Sequence, residues 1–74
     1  MATASGVITV VQESRFQLAL DGGGTRLFVL SRHAPVDPDQ LLAARNARTH
    51  VAVTFRPAAG LIAGEARAIA ETSF

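Results

Sequence analysis

Three consecutive glycines, Gly22-Gly23-Gly24, follow Asp21 and separate two extended segments. Glycine accepts at no steric penalty the positive φ that tight hairpin turns require. Both flanks agree with a hairpin. Before the turn, Arg15 to Leu20 alternates, with Phe16, Leu18 and Leu20 on one face and Arg15, Gln17 and Ala19 on the other. After it, Thr25 to Ser31 is a second strand with apolar residues on both faces, which predicts cover on both sides. Upstream, Gly6 to Glu13 is rich in β-branched residues and predicts a strand that Ser14 breaks. A glycine triplet could also cradle a phosphate. A phosphate-binding loop ends on lysine and opens a helix. This chain has no lysine, and a strand follows the triplet, so the turn is the better reading.

The pattern then changes. Asp37-Pro38-Asp39-Gln40 carries the signs of a helix start: a capping carboxylate, proline at the first helical position and a glutamine placed for a capping box. Leu41, Leu42 and Arg45 continue a short helix, with Asn46 as its expected stop and Arg45 and Arg48 near its negative end. Thr49 to Phe55 returns to alternation. Val51, Val53 and Phe55 face inward, and His50 sits outward and exposed. Arg56 to Gly60 is a turn. Leu61 to Ala70 fits two periods. As a strand it sets Glu65 and Arg67 against Gly64, Ala66 and Ala68; as a helix it aligns Leu61, Ile62, Glu65, Ala66 and Ile69. The hairpin-length link before it and Gly64 within it favour the strand.

The resulting order is mainly β: three strands, one short helix, two strands. This resembles the OB-fold, a five-stranded Greek-key barrel with a helix between strands 3 and 4. The likeness is architectural, covers about residues 6–70 of a single domain with short flexible termini, and rests on no family motif. An SH3-like barrel, or an α+β sheet with a helical last segment, is the runner-up. The resemblance implies ligand contact across strands 2 and 3 with help from the loops after strands 1 and 4. Arg15, Arg26, Arg32 and Arg56, with Phe28 as the one available aromatic, are the candidate ligand-binding residues. Arg15 and Arg26 would lie nearly cross-strand, about one residue out of register.

Composition narrows function more than it names one. The chain has no cysteine, which removes disulfides, thiolate metal sites and cysteine nucleophiles. A small secreted domain usually needs such staples, so a cytoplasmic setting is expected. No apolar run nears the roughly 18 residues of a membrane span, and no signal-peptide pattern opens the chain. All seven cations are arginine beside 14 alanines, which suggests a biased genome. The net charge is only +1 and no like-charged run offers a nucleic-acid tail. His33 and His50, with Asp37 or Asp39, make a poor metal set, and Ser14, Ser31, His33 and Asp37 make no nucleophile elbow. No enzyme, no cofactor and no metal is therefore expected. Cold-shock-type barrels interleave exposed aromatics with lysines; here Phe16 and Phe55 face inward. Protein interaction or self-association through the apolar third strand, Leu27-Phe28-Val29-Leu30, is the leading expectation. Binding of single-stranded nucleic acid through the arginines is the alternative.

Overall fold

The computed structural model describes residues 2–57 and 63–72. Five strands and one helix follow in the expected order: β1 (Ala2–Gln12), β2 (Arg15–Leu20), β3 (Thr25–Leu30), α1 (Pro38–Ala47), β4 (His50–Pro57) and β5 (Gly64–Glu71). The strands close into a barrel in the order β1-β2-β3-β5-β4, antiparallel except between β3 and β5. No helix of the described residues is long and apolar enough to cross a membrane.

The barrel starts earlier than expected, at Ala2 instead of Gly6, because β1 serves two partners. Its first half pairs with β4, from Ala2 opposite Phe55 to Val7 opposite His50. Its second half pairs with β2, from Gly6 opposite Leu20 to Gln12 opposite Arg15. Gly6 lies where the two ladders overlap. A Cβ there would sit 1.9 Å from the Ala19 carbonyl oxygen, so only glycine fits this crossing.

Two β-bulges set which side chains enter the core. In β1, Ile8 faces Leu18 and Val10 faces Gln17, leaving Thr9 as the extra residue. Inward positions are therefore Ile8 and then Val11, and Val10 is turned out to 48% exposure. In β5, Phe55 faces Ala66 and Thr54 faces Ala68, leaving Arg67 extra. Ala66 and Ile69 both pack toward the core as a result, although they are three residues apart. That spacing imitates a helical stripe, yet Gly64–Glu71 is a strand. The expected strand residues 61 and 62, and residues 58–60 of the turn, lie outside the described residues; β4 runs on to Pro57.

The core is the inner lining of the barrel: Ile8, Phe16, Leu18, Phe28, Val51, Val53, Phe55 and Ala66, closed by Leu30 and by Leu41 from α1. Phe16 stacks on Phe28 at 5.3 Å between ring centroids, and Phe28 meets Phe55 edge-on at 5.0 Å. Such pairs add about 0.5–1.5 kcal/mol beyond their area. The helix begins as its sequence dictates. Asp37 accepts from the Gln40 backbone N–H at 3.0 Å, and the Gln40 side chain accepts from the Asp37 N–H at 2.8 Å. It passes Asn46 and ends at Arg48, which takes the left-handed conformation while Thr49 N–H reaches the Ala44 carbonyl.

β3 is not covered on both faces. Phe28 and Leu30 are buried, whereas Val29 is 36% exposed and Leu27 half-buried. The helix packs against β1 and leaves this side open.

Candidate functional site

The register carries one row of side chains across the outer surface: Gln12 on β1, Arg15 on β2, Val29 on β3, Glu65 on β5 and Arg56 on β4. Residues opposite one another in a ladder project to the same face. A second row, Val10, Gln17 and Leu27, runs beside it. The two exposed valines thus belong to one outer surface, with Gln17 and Leu27 between them.

Beside Val29 this surface sinks into a groove of about 810 Å³. Its walls are the β1–β2 turn at Ser14, the β3–α1 loop at Arg32, His33 and Val36, and the start of β5 at Glu65 and Arg67. The loop is held locally. Ser31 N–H donates to the Ala66 carbonyl at 2.9 Å, and the Ser31 hydroxyl accepts from His33 N–H at 3.2 Å. The lining carboxylates are already engaged. Asp37 caps α1. Glu65 Oε1 lies 2.7 Å from Arg67 Nε, an electrostatic contact without the alignment of a full hydrogen bond. Arg15, Arg32, His33 and Arg56 are not part of any ion pair among the described residues, and Arg15, Arg32 and Arg56 are exposed.

The expected site residues separate into two groups. Arg15, Arg32 and Arg56 stand on or beside the groove. Arg26 does not join them. Arg15 is opposite Val29, whereas Arg26 is opposite Leu18, so the two are three residues apart along the ladder and on opposite faces. The near cross-strand placement fails on ladder arithmetic: with Leu20 opposite Thr25, Arg26 would already face Ala19, four residues from Arg15, and the observed register, with Thr25 opposite Ala19, puts it opposite Leu18 and on the other face. The Arg26 guanidinium lies over the core rings instead, 4.4 Å from the Phe55 centroid and 5.9 Å from that of Phe28. Phe28 itself is fully buried and gives no stacking platform. Phe74 lies outside the described residues. Val10 and Arg67 were not among the expected site residues. The alternation of Glu65 and Arg67 was legible, but the bulge that exposes Val10 was not.

His50 departs from expectation too. Its side chain is 18% exposed and joins three parts of the barrel. The Asp21 carboxylate can only accept, which places a proton on His50 Nε2, 2.7 Å away. His50 Nδ1 contacts the Thr72 hydroxyl, and Thr72 N–H donates to the His50 carbonyl at 2.9 Å. This carboxylate–imidazole–hydroxyl chain ties the glycine hairpin to β4 and to the end of β5. It lies away from the groove. Among the described residues, no three His, Cys, Asp or Glu side chains converge to hold a metal ion.

No protein-family model, curated protein or solved structure matches this chain.

Proposed function

We propose that this chain is a small, non-catalytic, OB-like module that docks a protein surface through the outer face of β1–β3 and the adjoining groove. The OB-like assignment is supported by the strand order β1-β2-β3-β5-β4, by a first strand shared between two ladders and by a helix between β3 and β4. One observation carries the functional reading. The large apolar side chains turned outward from the sheet are the aliphatic Val10 and Val29, while Phe16, Phe28 and Phe55 are all buried. Aliphatic surface favours protein contact. Single-stranded nucleic acid is held by stacking bases on aromatic faces.

Photo-crosslinking tests this. A photoreactive residue is placed in turn at positions 10 and 29, and at Asp39 on the exposed side of α1. Protein adducts are expected from positions 10 and 29 only, and Val10→Asp should abolish the adduct from position 29. Adducts to nucleic acid, or none from either position, would overturn the reading. A second reading, single-stranded nucleic acid held by its phosphates, is favoured by Arg15, Arg32 and Arg56 beside one groove. It requires oligonucleotide affinity that falls steeply with salt.

A further inference from the structure

Resting on that reading, we infer that the groove takes an extended, acidic segment of a partner polypeptide, with an aliphatic side chain against Val29 and carboxylates facing Arg15, Arg32 and Arg56.

Charge complementarity carries the sign. Six charged residues line the groove or stand in register with its lining: Arg15, Arg32, Arg56 and Arg67 against Asp37 and Glu65. Both acids are engaged, Asp37 by the Gln40 backbone and Glu65 by Arg67. The cap leaves the Asp37 charge in place, so four arginines stand against two carboxylates, an excess of two positive charges toward an incoming chain, with His33 on the wall. The acid beyond this set is Glu13 in the β1–β2 turn, next to Ser14. The rest of the described chain is balanced, with Arg26, Arg45 and Arg48 against Asp21, Asp39 and Glu71, so the positive excess is local to this end.

Shape carries the extended form. The groove is walled by the β1–β2 turn at Ser14 beside Leu30, by the start of β5 at Gly64 and Glu65 on the other side of β3, and by the β3–α1 loop at its end. A single extended chain laid along this groove would meet Val29 from the sheet and Val36 from the loop. In such a chain alternate side chains point down and up. A segment alternating acidic and aliphatic residues sets its aliphatic groups on Val29 and Val36 and leaves its carboxylates in reach of the rim. A guanidinium fork donates two parallel hydrogen bonds to the two oxygens of one carboxylate.

The test uses fluorescence anisotropy with the intact chain and a labelled peptide of alternating Glu and Leu, about ten residues long and so about 33 Å when extended. Binding is expected, weakening with salt. Replacing every Glu by Gln should weaken it about tenfold, and so should the double change Arg15→Glu with Arg32→Glu. Glu13→Gln should tighten it. Circular dichroism melts identify any variant that fails to fold, and Glu13→Gln provides a reading that does not depend on losing an interaction. Equal affinity for the Glu and Gln peptides would overturn the inference, as would tighter binding of an oligothymidylate of the same charge. Failure of every peptide with intact protein adducts from position 29 would remove the acidic segment and leave the docking surface standing. Failure of both would remove both.

Discussion

Gly6 is where the barrel is least tolerant, and Gly6→Ala tests the shared first strand directly. A Cβ at this position would lie 1.9 Å from the Ala19 carbonyl oxygen and 2.8 Å from its carbon. Even the closest C–H···O contacts between strands are about 3.3 Å, so one strand must retreat by roughly 1.4 Å. It has nowhere to go, because Gly6 is paired with Leu20 on one side and Val51 on the other. Opening two or three rungs at about 1 kcal/mol each predicts a loss of about 3 kcal/mol. The entropy gained by removing a glycine from the unfolded chain returns less than about 1 kcal/mol of this. A 74-residue domain has about 4–11 kcal/mol in total. A net loss of 2–3 kcal/mol would lower Tm by about 8–24 °C. Gly22→Ala is the control: its Cβ meets nothing within 4 Å and its φ is ordinary, so it should gain about 0.4–1 kcal/mol. Circular dichroism melts of both variants decide the matter. A Gly6→Ala protein melting within about 4 °C of the parent would mean that β1 is not held on both sides as described.

Three further outcomes follow from the same structure. Phe28→Ala empties the centre of the Phe16–Phe28–Phe55 cluster and should cost about 3–5 kcal/mol, read by chemical denaturation; a loss under about 1.5 kcal/mol would contradict its central place. Asp37→Ala removes the helix cap and should cost about 1 kcal/mol, with Asp37→Asn retaining most of it, and an unchanged denaturation midpoint would show the cap to be idle. His50→Ala should release the glycine hairpin from β4, so that the amides of Asp21 and Gly23 exchange about fivefold faster, the equivalent of about 1 kcal/mol; unchanged exchange would place the hairpin's restraint elsewhere.

How legible the fold was depended on whether each segment obeyed one period. β2 has no irregularity, and its alternation located Phe16 and Leu18 in the core and fixed its limits. Val51, Val53 and Phe55 were equally plain. Asp37 and Gln40 announced the helix because a capping box is a local contact, complete within four residues. The bulges at Thr9 and Arg67 had no such signature. Each inserts one residue and shifts the alternation, so Val10 emerges where Ile8 had pointed in, and Ala66 with Ile69 acquires a helical spacing. The site was legible in part for the same reason. Arg15, Arg32 and Arg56 could be chosen as cations near strand ends, but their grouping needs the β2–β3, β3–β5 and β4–β5 registers together. Arg26 was misplaced because it lies near the glycine turn and Arg15 at the far end of β2, and the observed register also turns it to the opposite face. The His50 cluster joins positions 29 and 22 residues away in sequence, beyond the reach of any local pattern.

The divided loyalty of β1 has a consequence for how the molecule is born. As the chain leaves the ribosome, Val7 to Gln12 can pair at once with β2, but Ala2 to Ser5 must wait until residues 52–55 emerge. Until β4 is available the nascent meander shows Ile8, Phe16, Leu18 and Phe28 to the cell with no lid. Closure is a late event joining β1 to β4, slow because the separation is long and hazardous because the unfinished sheet is sticky. A pause in translation that holds β1–β3 outside the ribosome while residues 52–55 are still within it should therefore raise the yield of aggregate without altering a single amino acid.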